Sequence, residues 1–301
     1  MAVYLYAENG KLTFQNIYGF SQFNNGVFVI GVGSVGEIVC RNIVGVNQYS
    51  TGGSTEIAGL RVGANSLISH FYDCVGISYD NIAGSGIYSN NSTSNTVTNF
   101  YSCYGISTVS HGFKTEGCNL YDCTAEGGTD KYAFYNIKNS NYYGCSDSNP
   151  SGTGASLGMY SGSPSNIENC CFSGYYGIVM INSSDAASYA INIKNCTIRA
   201  YDKAILHDFY NNNFYNIEGC TISTKVALPP IRIQGTTGGR IANNTIRSID
   251  YSVIAIIGGS GSNGRPQYQG GNVALDCQFN YTSVPQLIGP TASVKGNLRC
   301  Y

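Results

Sequence analysis

Short apolar stretches alternate with clusters of Gly, Asn and Ser along the whole chain. β-Branched and aromatic residues fill the apolar stretches, as in Val27-Phe28-Val29-Ile30. No window shows sustained apolar spacing at i, i+3, i+4 and i+7, which is the signature of an amphipathic helix. The pattern therefore predicts short β-strands separated by turns, and an all-β protein.

One phrase of four residues recurs along the chain, and nine copies of it end in cysteine. The nine residues are Cys74, Cys103, Cys123, Cys145, Cys170, Cys196, Cys220, Cys277 and Cys300. Ile17, Ile43 and Asn244 hold the same place in three further copies, and successive copies lie 20–33 residues apart. A repeat of this length with variable spacing indicates a solenoid whose loops differ from turn to turn, and leucine is too scarce for a leucine-rich repeat.

A second phrase, a small residue followed by an apolar one, occurs about ten residues after the first, as in Gly86-Ile87 and Gly112-Phe113. Each rung therefore contains at least two strands, with corners at turns such as Asp130-Lys131, where Asp can hydrogen-bond the local backbone. We expect a single-stranded right-handed parallel β-helix, a solenoid of about 12 rungs. It would form one domain over residues 1–301, and the sequence would be a fragment of a longer chain because no caps are visible.

The cysteine column is expected to face the interior as reduced thiols, because strand residues alternate between two faces. Stacked cysteines with parallel side chains have the wrong torsion for a disulfide, and buried thiols act as small hydrophobes. The same alternation places Tyr72, Tyr101, Tyr121 and Tyr143, two positions before the column, in the core. Asn244 would be an internal polar position of the same stack.

Two motifs that suggest a cofactor or a metal ion fail on their context. Gly31-Val32-Gly33-Ser34-Val35-Gly36 matches the dinucleotide fingerprint, but a strand-like run follows where a helix would have to hold the pyrophosphate. Cys118 and Cys123 lack the second pair of ligands that a zinc site needs. We therefore expect no cofactor and no metal.

Composition also restricts the partners of the protein. Charged residues make up 11% of the chain and the formal net charge is −1, so a basic footprint for nucleic acid is absent. No apolar run approaches the roughly 20 residues of a membrane span, which predicts no membrane insertion. No signal peptide opens the sequence, so we expect synthesis in the cytoplasm.

One group of candidate catalytic residues lies on two adjacent rungs. Glu116, Glu126 and Asp130 form its acidic part, and His111 and Lys114 lie near them in the sequence. Two carboxylates about 5–9.5 Å apart are what glycoside hydrolysis requires, and neighbouring rungs supply such distances. A lyase or an epimerase would instead need a base beside a group that neutralises a sugar carboxylate.

A second group contains Asp185, His207 and Asp208, again on neighbouring rungs. The alternative is structural: Asp130 and Asp202 would cap corners, and Glu116 and Asp208 would be solvated strand ends.

Tyrosine is abundant, with 25 copies, and several tyrosines lie near predicted turns and strand ends. The candidates for binding sugar rings are Tyr132, Tyr135, Tyr175, Tyr176 and Tyr210. A tyrosine offers an apolar ring face and a polar hydroxyl, which suits a sugar. The alternative is that these side chains pack loops against the solenoid or lie in a subunit interface.

The repeat resembles that of the pectate-lyase-like β-helix superfamily, in phrases such as Ile193-Lys194-Asn195-Cys196-Thr197-Ile198 and Asp202-Lys203-Ala204-Ile205. The resemblance covers nearly the whole chain. Within that superfamily the free-thiol column, the absence of a signal peptide and the Asn/Gly/Ser/Tyr-rich surface look most like a bacteriophage tailspike shaft. This resemblance implies a homotrimer in the virion tail that acts outside the cell, on bacterial surface polysaccharide. No catalytic motif of a known relative is present.

Three functions remain open at this point. The first is a tailspike-type depolymerase, either a hydrolase or a lyase, that binds and cleaves bacterial surface polysaccharide. The second is a non-catalytic glycan-binding or structural shaft of a virion. The third is a secreted bacterial polysaccharide lyase or epimerase, which oxidised cysteines or an upstream signal peptide would favour. Convergence of carboxylates in a groove would separate the first two.

Overall fold

The strands of the computed structural model are parallel and wind into a right-handed β-solenoid, which confirms the fold class predicted from the repeat. The structure describes residues 2–49, 57–63, 68–79, 84–90, 97–147, 153–160, 165–182, 190–207, 213–233, 236–250, 253, 256–258 and 268–277. The predicted count of about 12 rungs is slightly too high. Within these ranges, no helix has both the length and the apolar character needed to cross a membrane.

The chain divides into two compact units, Met1–Leu157 and Gly158–Tyr301. The strands of the first unit are β1 (Val3–Ser21), β2 (Val27–Asn47), β3 (Ala58–Val62), β4 (Ile68–Tyr72), β5 (Val75–Ser78), β6 (Ser85–Asn90), β7 (Thr98–Tyr101), β8 (Tyr104–Ser107), β9 (Phe113–Glu116), β10 (Cys118–Tyr121), β11 (Thr124–Glu126), β12 (Phe134–Lys138), β13 (Asn141–Tyr143) and β14 (Ser146–Asp147). The single domain over residues 1–301 stays a prediction.

The boundary between the units falls within β15 (Ala155–Tyr160). The strands of the second unit are β16 (Ser165–Glu168), β17 (Cys171–Phe172), β18 (Tyr176–Asn182), β19 (Ala190–Lys194), β20 (Thr197–Ala200), β21 (Ile205–His207), β22 (Asn213–Glu218), β23 (Thr221–Thr224), β24 (Ile231–Ile233), β25 (Thr236–Ala242), β26 (Thr245–Arg247), β27 (Ile256–Gly258), β28 (Tyr268–Gly270) and β29 (Val273–Leu275).

Each unit has three walls of stacked parallel strands. In the first unit, β1 and β2 each run around a whole coil, and from β3 onward each coil has three strands. One wall contains β3, β6, β9 and β12, the next contains β4, β7, β10 and β13, and the last contains β5, β8, β11 and β14. In the second unit β18, β16 and β17 begin equivalent walls.

A residue with positive φ forms the corner just before the cysteine column. Ser102 has a φ of 51°, and Asp73 and Asp122 have similar values. This left-handed conformation interrupts the alternation of the strand, so that Cys103 and Phe100 both face the core and are 1% and 0% exposed. The residue between Phe100 and the corner therefore points outward.

The sequence-based prediction for four tyrosines is consequently wrong. Tyr72, Tyr101, Tyr121 and Tyr143 are half-buried on the outer surface, while the residue before each of them is fully buried. Alternation counted back from the cysteine gave the opposite face because it took no account of the left-handed corner.

The cysteine column is buried and forms no disulfide in the part of the chain that the structure describes, which confirms its interior position; Cys300 lies outside that part. Burial raises the pKa of the Cys123 thiol well above its ordinary value, so this group is protonated and can donate a hydrogen bond at neutral pH. The sulfur of Cys103 lies 3.5 Å from the carbonyl oxygen of Phe71 in the preceding coil and accepts the N–H of Cys74 at 3.4 Å. Cys123, Cys145, Cys196 and Cys220 approach a carbonyl oxygen of the preceding coil in the same way, at 3.5–3.6 Å.

Asn244 occupies the same column and makes the same links, as predicted for an internal polar position. Its Oδ1 accepts the N–H of Cys220 at 2.8 Å, and its Nδ2 donates to the carbonyl of Ile217 at 3.0 Å. The register of β25 with β28 then places Asn272 next in the column, where it accepts from the amide of Asn244 at 2.9 Å. The assignment of Cys277 to the column is therefore wrong, although Cys277 is buried.

The small residue of the second phrase lies where two walls touch through their backbones. A Cβ atom added to Gly86, on β6, would lie 2.3 Å from the backbone nitrogen and 2.6 Å from the carbonyl oxygen of Ile106, on β8. Both walls are fixed by parallel pairing, so the clash has no easy relief. The close approach explains why the phrase begins with Gly in this coil.

Candidate functional site

One row of aromatic and cationic side chains follows the outer surface of the first wall, with one residue per coil. The residues of this aromatic–cation face are Phe28, Arg61, Tyr88, Lys114 and Tyr135, and they are aligned by the register of β2, β3, β6, β9 and β12. The residues on either side of them along the strands face the core, so alternation directs this row away from it; the Tyr88 ring, in contact with Arg61 and Lys114, is only 4% exposed.

Cations and rings alternate along this face. The Arg61 guanidinium carbon lies 4.9 Å from the ring centroid of Phe28, and the Lys114 ammonium lies 4.8 Å from that of Tyr88. Such cation–π contacts contribute about 0.5–1 kcal/mol each at exposed sites. They hold long, flexible cations in defined positions on an outer surface.

His111 lies at the corner that leads into β9 and stacks on two tyrosines. Its ring centroid is 4.4 Å from that of Tyr135 and 5.3 Å from that of Tyr132. The pKa of His111 is lowered to about 3, first by burial and then by the positive charges of Lys114 and Lys131. The imidazole is therefore neutral at physiological pH.

The hydrogen bonds of this cluster decide what it offers to a ligand. The backbone N–H of Tyr132 donates to Nδ1 of His111 at 3.3 Å, which assigns the imidazole proton to Nε2. Burial raises the pKa of the Tyr132 hydroxyl, so this group stays protonated as well. At neutral pH the cluster presents N–H and O–H donors and cations rather than a ready base.

The three acidic residues of the first predicted group lie on separate parts of one coil. Glu116 ends β9, Glu126 ends β11 after two intervening corners, and Asp130 lies in the turn that follows. Glu126 accepts a hydrogen bond from the hydroxyl of Tyr104 at 3.2 Å, and Asp130 accepts one from the hydroxyl of Thr153. The structure thus brings His111 and Lys114 together with the tyrosines; catalysis by the acids stays a prediction.

A second aromatic cluster lies in the second unit and includes two predicted sugar-binding residues. Tyr175 and Tyr176 are in edge contact at 4.9 Å, and Tyr201 stacks on Tyr175 at 5.2 Å. The Lys203 ammonium lies 5.8 Å from the ring centroid of Tyr176 and pairs with Asp202 at 2.9 Å. The pair occupies a corner that the sequence had predicted at this position.

His207 is inside the second unit rather than on its surface. Its side chain is 1% exposed, neither ring nitrogen has a hydrogen-bond partner among the residues that the structure describes, and burial lowers its pKa to about 4. Its ring centroid lies 5.5 Å from that of Tyr215. Asp185, Asp208 and Tyr210 lie outside the described residues, so the role of this second group stays a prediction.

Sequence reasoning missed Phe28, Arg61 and Tyr88 as members of the face. They lie far apart in the chain, and only the register of the stacked strands aligns them with Lys114. Among the residues that the structure describes, no cluster of three or more His, Cys, Asp or Glu side chains could hold a metal ion.

No protein-family model matches this sequence, and no curated protein matches it either. Among solved structures, the chain is similar to the A-module of the mannuronan C-5 epimerase AlgE6 from Azotobacter vinelandii. The identity is 13% and the TM-score is 0.48, over 99% of this chain and 91% of that chain. A likeness this weak carries no argument about ligand or activity. Such an argument has to rest on the side chains described above.

Proposed function

We propose that the protein binds bacterial surface polysaccharide, and that the aromatic–cation face of the first unit with His111 and Tyr132 is a binding site for it. The observation that carries this proposal is the stack of His111 on Tyr132 and Tyr135 beside Lys114. A sugar ring has an apolar face and hydroxyl groups at its edge. Aromatic surface combined with fixed N–H, O–H and ammonium donors matches both features.

Binding is better supported than cleavage by the same cluster. Lyase chemistry at His111 would need a nitrogen that accepts a proton, and Nδ1 is already occupied by the N–H of Tyr132. Hydrolysis by Glu116, Glu126 or Asp130 would need two carboxylates on one groove. A depolymerase activity therefore remains a proposal for the same experiment to test.

The Tyr135→Ala variant is expected to bind capsule or lipopolysaccharide at least about tenfold more weakly than the parent protein, since buried tyrosine anchors carry much of a binding energy. Affinity electrophoresis in gels that contain polysaccharides from a panel of bacteria measures this effect. Release of reducing ends from the same polysaccharides measures cleavage.

Tyr18→Ala is the matched control, because Tyr18 is 65% exposed and lies on β1 outside the face. It should bind like the parent. Equal binding by the Tyr135→Ala and parent proteins would refute the assignment of the site. Release of reducing ends that Glu116→Gln and Asp130→Asn abolish would establish the depolymerase.

The tailspike context and the assembly are further proposals. They are supported by the resemblance of the repeat and by the low charge, which leaves outer faces that can pack on symmetry mates. We expect a homotrimer in solution. Light scattering should give three times the chain mass of 32.1 kDa, and a concentration-independent mass of one chain would contradict the trimer.

A further inference from the structure

The neighbouring wall of the first unit carries two further rows on its outer surface. We name this surface, formed by β4, β7, β10 and β13, the tyrosine–asparagine face; its residues are Tyr72, Tyr101, Tyr121, Tyr143, Asn99, Asn119 and Asn141. The four tyrosine rings are stacked face to face, with centroids 4.7, 4.9 and 5.1 Å apart and interplanar angles of 8–13°. The rings cover one another's faces, so their edges are the part directed to solvent.

The asparagine row is a ladder of side-chain amides. Nδ2 of Asn119 donates to Oδ1 of Asn99 at 3.1 Å, and Nδ2 of Asn141 donates to Oδ1 of Asn119 at 2.9 Å. An amide has two N–H groups and an oxygen with two lone pairs, and the ladder uses one N–H of Asn119. Asn119 therefore combines a fixed geometry with a second N–H that can bind a ligand.

The two rows are uncharged, polar and already ordered. The guanidinium of Arg41 lies 4.2 Å from the ring centroid of Tyr72 and covers that end of the stack. Side chains held by stacking and by an amide ladder lose little rotamer freedom when a ligand binds, which favours affinity. Equivalent groups recur once per coil, at about 4.8 Å.

We propose that the tyrosine–asparagine face is a second glycan-binding surface, and that it takes an uncharged stretch of a linear polysaccharide lying across the strands. This second surface rests on the proposed function, because the class of ligand, a polysaccharide, is taken from it. Successive sugar units of such a chain meet a hydroxyl and an amide at each coil. An apolar protein surface matches this face poorly, because the ring faces are already covered by one another.

The double variant Tyr101→Phe/Tyr121→Phe tests this surface, since it removes two hydroxyls and keeps the ring stack. The probes are dextran and galactomannan, which are uncharged, and polygalacturonate, which is anionic, in affinity electrophoresis. The parent is expected to bind an uncharged probe, and the double variant to bind it at least about fivefold more weakly, as loss of two hydrogen bonds implies. With fragments of increasing length, the difference should grow as the fragment spans more coils.

Two controls separate this proposal from the preceding one. Tyr79→Phe removes a hydroxyl from a residue that is 53% exposed and outside the face, and it should bind like the parent. Tyr135→Ala should keep its affinity for the uncharged probe, because Tyr135 lies on a different wall. Unchanged binding by the double variant, or no binding of uncharged probes by the parent, would overturn this second surface. A change in molar mass in the double variant would identify the face as a protein interface instead.

Discussion

Phe100→Ala is expected to lower the free energy of unfolding by about 3–5 kcal/mol, because a fully buried aromatic side chain leaves a cavity when it is removed. The side chain of Phe100 is 0% exposed, and its ring centroid lies 5.0 Å from that of Phe71 and 5.8 Å from that of Phe113. Parallel pairing on both sides limits how far the coils can close on the cavity. Urea denaturation followed by circular dichroism measures the loss.

The neighbouring variant Tyr101→Ala is the control, since it makes the same truncation one residue further along β7. Its loss should be only about 1–2 kcal/mol, as expected for aromatic stacking at a half-buried position. If Tyr101→Ala were the more destabilising of the two, the outward assignment of the tyrosine row would be wrong. The side chains would then alternate strictly through the corner, and Tyr101 would face the core.

The sequence predicted the fold class because each coil contributes one copy of a recognisable repeat, a short strand followed by a small buried residue. It did not predict the faces of these strands, since the corner that reverses them is a backbone conformation. The signal was nevertheless present: Asp73, Asp122 and Asn195 precede the column, and Asp and Asn adopt the left-handed region more readily than most residues. Counting that corner as a break in alternation gives the correct faces.

Part of the candidate site was predictable for a similar reason. His111 and Tyr132 occupy the same corner of successive coils, so residues at equivalent positions of the repeat are in contact in the structure. Glu116 and Glu126 were expected to converge because they are close in sequence, but two corners separate their strands. Arg61 and Tyr88 belong to the face because the register of β3 with β6 aligns them. The connections between these strands differ in length, so the spacing of residues in the sequence does not reveal this register.

Asn244→Ala is expected to lower the free energy of unfolding by about 2–5 kcal/mol, because it leaves two buried backbone groups without partners. These groups are the N–H of Cys220, which donates to Asn244 at 2.8 Å, and the carbonyl of Ile217, which accepts from it at 3.0 Å. Asn244 itself is 1% exposed, so water cannot replace the lost bonds without opening the coil. Urea denaturation at neutral pH, with a reductant present, measures the effect.

Asn244→Cys should recover more than half of that loss. A thiol at this position of other coils accepts the N–H of the preceding coil and approaches its carbonyl, as Cys103 does with Cys74 and Phe71. Cysteine can therefore perform both roles of the amide, whereas alanine can perform neither. Equal stability of the alanine and cysteine variants would mean that the column contributes by packing alone, and that its hydrogen bonds between coils add nothing measurable.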